Sequence, residues 1–323
     1  MSHKTLRAQR RRAMAICSLG TAIVTAVAAN TASAHGRVVP PTPPTIAAAN
    51  TAATATVFPD SLFGRSGKLR FRLFNSSRLF ALPILERLFG EPSSDVRPGV
   101  YHAAEDIIGK PFAFISLIPF GTKAGGRVGD YRVGFWPGER KKAVRSEAYE
   151  NPEGFIEVTA ETQDTQISEH FRLRDFLTHD QRDVWPKYLV LKEALVDKLE
   201  LVIDDLAEHG VRVERMVVLS GFRTPQYNQQ GVGRGGRAKD SRHQFGDAAD
   251  IFVDNDGNGR MDDLNRDKRV DSRDARVIMQ AVERVEKAHQ ELVGGASAYR
   301  ATKAHGPFAH IDVRGARARW GRS

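Results

Sequence analysis

The sequence predicts an α+β protein of about two domains, and three patterns carry that reading. Short strand-like runs separated by glycine turns fill residues 57–150. Two stretches further on have helical spacing: Leu191, Leu195, Leu199, Val202 and Leu206, and then Val277, Ile278, Ala281, Val282 and Val285. A last apolar run, Phe308 to Val313, reads as a closing strand. The 323 residues are 41% hydrophobic and 27% charged, an ordinary globular balance with enough chain for a sizeable core.

The N-terminus has the pattern of a secretory signal. Basic residues end at Arg12, an apolar stretch runs from Ala13 to Ala29, and Ala32-Ser33-Ala34 places small residues before a cut at His35. That stretch is short for a spanning helix of about 20 residues. Residues 1–34 are therefore expected to be removed on export to the periplasm or cell envelope, with no stable membrane insertion afterwards. Residues 35–56, with Pro40, Pro41, Pro43 and Pro44 and then an Ala/Thr run, have linker composition.

Within 57–150, Leu69 to Leu73 alternates apolar and basic side chains, and Phe112 to Phe120 is apolar and aromatic. Gly125-Gly126, Gly129-Asp130 and Pro137-Gly138 mark turns. A small β-rich accessory domain is the expectation. From Asn151 the character changes. Pro186 is placed to open a helix that stops at Gly210. Val211 to Leu219 reads as a strand, Ser220 to Pro225 as the turn leaving it, and the Gly- and Arg-rich residues 231–240 as a loop. The second helix is expected from Asp274 to Leu292.

The formal net charge is +9, but the first 34 residues hold five basic side chains and no acidic ones. Removing them leaves 43 basic against 39 acidic residues, a net +4. Nucleic acid is not expected as a partner, whereas an anionic cell-wall polymer is compatible with this charge. The only cysteine, Cys17, lies in the signal segment. The mature chain then has neither disulfide nor thiol nucleophile, and any zinc must be held by His, Asp or Glu.

His243 and Asp250 are seven residues apart with Gly246, Ala248 and Ala249 between them, small residues that let a backbone turn sharply and approach an ion. His310 and Asp312 have the period-two spacing that puts both on one face of a strand. Imidazole and carboxylate are both zinc ligands, and three protein ligands with one open position make a catalytic site. His310 would complete such a set, with Asp312 bonding a ligand or the water. Spacing alone leaves the other reading open, a satisfied core histidine beside unrelated carboxylates.

Ser220-Gly221-Phe222-Arg223, Ser241-x-His243-x-x-Gly246-x-Ala248-x-Asp250 and His310-x-Asp312, in this order, resemble the M15 family of zinc D-Ala-D-Ala peptidases. The branch with periplasmic murein endopeptidases is the most similar. The resemblance covers roughly residues 152–323 and implies a hedgehog/D-Ala-D-Ala-peptidase fold, a central antiparallel sheet flanked by helices. It implies zinc ligands His243, Asp250 and His310. It gives Arg223 the task of orienting substrate or neutralising charge at the scissile carbonyl, which suits a permanently charged guanidinium. Ser241 becomes a nearby polar contact. For Tyr227 and Asn228, lining the cleft and capping or packing are equally open. The implied activity is hydrolysis of amide bonds next to D-amino acids in peptidoglycan, endopeptidase in preference to D,D-carboxypeptidase.

Many members carry a general-base glutamate three residues before the last zinc histidine. Pro307 stands there in this chain, so the base falls to Asp312 first and His305 second. The murein endopeptidase branch also lacks that glutamate. A non-catalytic, zinc-containing wall-binding module is the alternative.

Residues 254–274 are dense in acids, and two overlapping registers resemble EF-hand or dockerin calcium loops. One runs through Asp254, Asp256, Asn258, Gly259, Asp262 and Asn265. The other runs through Asp263, Asn265, Asp267, Asp271 and Asp274. The first ends in Asn265 instead of a bidentate glutamate, and the second has Lys268 where glycine eases the turn. At least one structural calcium ion is expected, pinning this insertion. The competing reading is a solvated loop whose acids pair with Arg260, Arg266, Lys268, Arg269 and Arg273.

Overall fold

A computed structural model describes residues 60–75, 96–103, 109–140, 146–233 and 236–321. The expected signal segment 1–34, with Cys17, and the linker 35–56 lie outside the described residues. The fold is mixed, with several small sheets and three α-helices among the described residues. No described helix is long and apolar enough to cross a membrane.

The first half is built of short strands: β1 (Phe71–Phe74), β2 (Gly99–Ala103), β3 (Phe112–Ser116), β4 (Ile118–Pro119), β5 (Arg127–Val128) and β6 (Tyr131–Arg132). β1 and β2 flank β3, and β5 and β6 form a hairpin. β7 (Gly154–Val158) and β8 (Lys187–Leu189) follow, then helix α1 (Glu193–Glu208), β9 (Met216–Ser220), the short helix α2 (Pro225–Gln230), β10 (Ala248–Val253), helix α3 (Ser272–Ala288), β11 (Gly295–Tyr299), β12 (Phe308–Asp312) and β13 (Ala318–Arg319).

The strand order β13-β11-β12-β10-β9 gives a five-stranded sheet, antiparallel except for β11 with β13. Its register lines up Ser220, Asp250, His310 and Ser297 across four strands. Side chains alternate between faces along a strand. The interleaved residues Ala249, Ile251, Ala309 and Ile311 accordingly belong to the hydrophobic core. α3 packs on β11, β12 and α1, burying Ile278, Ala281, Val282 and Val285. Lys198 of α1 is wholly buried, and its Nζ donates to Glu286 Oε1 at 2.7 Å and to the Asp312 carbonyl at 2.9 Å.

The division expected near residue 150 does not appear in the packing. β4 pairs with β7, Ile118 opposite Phe155, and β7 pairs with β8. Leu69, Ile115, Phe155, Leu195 and Ile311 share one continuous core. α1 also fixes the first strand's surroundings: Asp197 accepts the Arg65 and Ser66 N–H groups at 2.7 and 2.9 Å, and Glu193 accepts that of Leu73 at 2.6 Å. The described residues on either side of position 150 therefore share one core.

Element boundaries also differ from the sequence expectations. Pro186 leads into β8 instead of opening a helix, because Leu189 is committed to pairing with Ile156. The helix starts at Glu193, after the Lys192 N–H has bonded to the Gly246 carbonyl at 2.8 Å. The strand expected from Val211 starts at Met216, since the Glu214 and Arg215 N–H groups go to the Asn255 side chain. α3 starts and ends earlier than expected, with Asp271 as its cap and Asp274 accepting the Asp271 N–H at 2.8 Å. The run at Phe308 is the penultimate strand, because β13 follows it.

His170 joins the segment before the Leu173–Phe176 turn to α1: its Nδ1 lies 2.7 Å from Oε2 of the buried Glu200. The hydrogen bond to Glu200 raises the imidazole pKa above its ordinary value. Burial pushes Glu200 up, but hydrogen bonds from His170 and Ser168 outweigh it and hold the carboxyl low. Histidine's share of the stability is therefore full below about pH 6.5 and is lost as pH rises through its raised folded value. The Glu200 share is present above about pH 4.3 and is lost on acidification. His170→Ala is expected to cost on the order of 1–2 kcal/mol at pH 6 and less at pH 9, measured by urea denaturation. Equal losses at both pH values would sink this account.

Candidate metal centre

The site begins at a short 3-10 helix, Arg242–Phe245, ahead of β10. Gly246 ends it at φ 66°, and a Cβ there would lie 2.3 Å from the Val190 carbonyl oxygen. Glycine is required on both counts. Arg242 locks the turn. Its Nε donates to Asp247 Oδ1 at 3.1 Å, its Nη2 to Asp247 Oδ2 and its Nη1 to the Ala148 carbonyl at 2.5 Å. The guanidinium also lies against the Tyr149 and Phe245 rings.

This turn presents His243. Its Nδ1 is 2.7 Å from the Gly221 carbonyl oxygen, so Nδ1 carries the proton and Nε2 is left as a ligand atom. Nε2 lies 3.2 Å from His310 Nδ1 and 3.3 Å from Asp250 Oδ1, and His310 Nδ1 lies 2.8 Å from the same Oδ1. Zinc at about 2.0–2.1 Å from tetrahedral N and O ligands separates those ligands by about 3.3 Å. The three atoms thus have nearly the spacing of one face of a zinc tetrahedron. His310 Nε2 faces Asp312 Oδ2 at 3.4 Å, so each imidazole has its second nitrogen directed at an oxygen, the usual support for a metal-ligating histidine.

Two arginines hold the two carboxylates. Arg223 places Nη2 2.5 Å from Asp250 Oδ2 and Nε 2.8 Å from Ser220 Oγ, and its N–H donates to the His243 carbonyl at 3.1 Å. Arg314 forks onto Asp312, which also accepts the Gly295 N–H at 2.6 Å. Burial pushes His243 below its ordinary pKa, with Asp250 opposing. For His310, burial pulls down but the bonds to Asp250 and Asp312 win and raise it. Asp250 and Asp312 are both held well below the usual carboxylate range. Burial opposes this, and the histidines, with Arg314 in the case of Asp312, overcome it. Between two ionised carboxylates, His310 is where a cation is favoured.

Asp312 is not placed as a general base. It is fully buried, saturated with donors and faces the imidazole edge away from Asp250. His305 packs edge-on against Phe308 with centroids 4.9 Å apart, and its Nδ1 donates to the Gly306 carbonyl. No contact ties it to the three ligands among the described residues. Ser241 opens the turn before His243, its carbonyl accepting the Gln244 N–H at 3.1 Å. Asn228 is buried, and its Nδ2 donates to the Ala238 and Lys239 carbonyls. Tyr227 lies beneath the Arg237 guanidinium, 4.2 Å from ring centroid to Cζ.

Arg314 and Trp320 were not anticipated. Arg314 continues the period-two series from His310 and Asp312, a signal present in the sequence. Trp320 is brought in by the pairing of β13 with β11 and by the Ser297 hydroxyl, which donates to its carbonyl. Its ring lies 5.2 Å from that of His310, and its Nε1 donates to the Tyr299 hydroxyl at 2.7 Å. In the acidic insertion, Asp254, Asp256 and Asp262 each bring a ligand atom within 4.8 Å of one another. Both sets accept backbone N–H groups: Asp254, Asp256 and Asp262 from Gly259, Asn258 and Asn255, and Asp263, Asn265, Asp267, Asp271 and Asp274 likewise.

Compared with protein-family models, curated proteins and solved structures, the chain matches none. The buried His243, Asp250 and His310 form a group able to hold a metal ion.

Asp312→Asn keeps the size of the side chain but weakens the acceptor at His310 Nε2. It is expected to lower zinc affinity about 10–100-fold, measured by competition with a chromogenic chelator. Ser241→Ala is expected to leave that affinity unchanged.

Proposed function

We propose that the chain is an exported zinc metallopeptidase that hydrolyses amide bonds next to D-amino acids in peptidoglycan stem peptides or crosslinks. The observation that carries this reading is the donor set itself: three ligand atoms 2.8–3.3 Å apart, contributed by His243, Asp250 and His310. The three motifs that resemble M15 peptidases come together there. The largely antiparallel five-stranded sheet, with helices packed on it, agrees with a hedgehog/D-Ala-D-Ala-peptidase fold.

Zinc, when bound, lowers the pKa of water and polarises a carbonyl, so amide hydrolysis needs no protein nucleophile. The chain contributes orientation and charge. Gly221 and Asp312 fix the two imidazoles. Arg223 fixes Asp250 and brings a permanent positive charge beside the ligands, where negative charge on a scissile carbonyl oxygen would be stabilised. Endopeptidase action on crosslinks is preferred over carboxypeptidase action, following the branch that the motifs resemble. Calcium takes no part in this chemistry.

One observation favours a second reading, a zinc-containing wall-binding module without turnover. Neither Asp312 nor His305 is placed to accept a proton from water. Zinc analysis of the protein lacking residues 1–34, beside His243→Ala, together with digestion of purified crosslinked peptidoglycan, separates the readings. The expected result is one zinc per chain and conversion of muropeptide dimers to monomers, both lost in His243→Ala. Release of terminal D-Ala would mean a carboxypeptidase, zinc without product the binding module, and absence of zinc would overturn both.

A further inference from the structure

The insertion between β10 and α3 holds a second arrangement of ligand atoms, independent of the zinc reading. Asp254 follows β10 directly and is fully buried. Its Oδ2 accepts the Gly259 N–H at 3.1 Å and lies 3.4 Å from Arg215 Nη1. Its Oδ1 is also buried and has no hydrogen-bond partner. A buried carboxylate oxygen without a partner is costly unless something positive meets it. Asp256 and Asp262 bring further carboxylates into the same group, within 4.8 Å. Among the described residues, the ion pair of the half-exposed Arg215 with Asp254 is the one made to these three carboxylates.

The neighbouring register is an informative contrast. Nine residues on, the backbone repeats the same wrap. Gly257 and Gly259 have φ 73° and 78°, and Arg266 and Lys268 take φ 60° and 67° at the matching positions. The Lys268 N–H donates to Asp263 Oδ2 at 2.6 Å, as that of Gly259 does to Asp254. The Arg269 N–H donates to Asp267 Oδ1, as that of Arg260 does to Asn258 Oδ1. Here, however, the chain supplies its own cation. Arg273 places Nη1 2.6 Å from Asp267 Oδ2 and Nη2 2.8 Å from Asp271 Oδ2. Both oxygens of Asp274 are taken by the N–H groups of Leu264, Asn265 and Asp271.

We propose that the first loop binds one calcium ion through Asp254, Asp256 and Asp262, with Asn258 as a further oxygen donor, and that the second loop is its ion-free copy, closed by Arg273. The chemistry selects calcium over magnesium. Several carboxylates on a partly exposed loop suit a large cation with many oxygen ligands, whereas magnesium demands a rigid octahedron and keeps its waters.

The test is calorimetric titration of calcium chloride into the chelator-treated protein and into His243→Ala, with magnesium chloride as control. One calcium per chain is expected in both proteins, with a Kd on the order of 10⁻⁴ M, a rise in Tm and much weaker magnesium binding. Because His243→Ala lacks a zinc ligand, this result stands or falls apart from the zinc reading. Asp256 is exposed, so Asp256→Asn should fold and should weaken calcium binding by about 10-fold or more, whereas Asp267→Asn should change it less than about 2-fold. No binding up to about 10 mM calcium, two ions per chain, or an equal loss in Asp267→Asn would overturn the proposal.

Discussion

The carboxylate of Asp250 has two oxygens and two tasks. Oδ1 is shared by His243 and His310, while Oδ2 is taken by Arg223. Neither task is possible unless β10 lies between β9 and β12, because that placement sets Ser220 and His310 on either side of Asp250. The register shift next to Asp250 on the β9 side belongs to the same geometry, since an irregularity of this kind re-aims a side chain locally. Ser220 then holds Arg223, and the Arg223 N–H holds the turn that carries His243. A buried carboxylate is expensive to keep ionised. Here two imidazoles and a guanidinium surround it, and the cost is offset at the place where a cation would sit.

The strand that presents His310 is also held from behind. Lys198 reaches from α1 to the Asp312 carbonyl and to Glu286 of α3, and Glu286 also accepts from Gly294 and Arg319. Both long helices and two strands of the central sheet thus meet at one buried charge cluster. Burial lowers the pKa of Lys198, with Glu286 opposing. Such a cluster is costly to break once formed, because losing one partner strands the others away from water.

The ligands were legible because their spacing has a direct physical meaning. Small residues between His243 and Asp250 announce close approach, and the single residue between His310 and Asp312 announces a shared face. What the pattern could not reveal was partner choice. Asp312 looks like a free base in sequence, yet Arg314, two residues on, occupies it. The boundary near residue 150 failed for a similar reason. The change of composition there is real, but Ile118 pairs with Phe155 across it, and no local signal encodes a pairing between segments that far apart. Helix periodicity survived better: Leu195, Leu199, Val202 and Leu206 are all buried in α1, and only its start differs, because Lys187–Leu189 pair with β7 as strand β8.

Trp320 adds an optical property to the site. Its indole lies 5.2 Å from the His310 ring, at 54°, and is partly open to solvent. A protonated imidazole at that range quenches indole emission by accepting an electron from the excited ring. A closed-shell ion that takes the proton's place on His310 removes the quencher without adding another. The chain's other two tryptophans are Trp136, buried against Phe120 and Phe155, and Trp185, beside Lys187. Of the three tryptophans, Trp320 is therefore the one whose emission is expected to follow charge at His310.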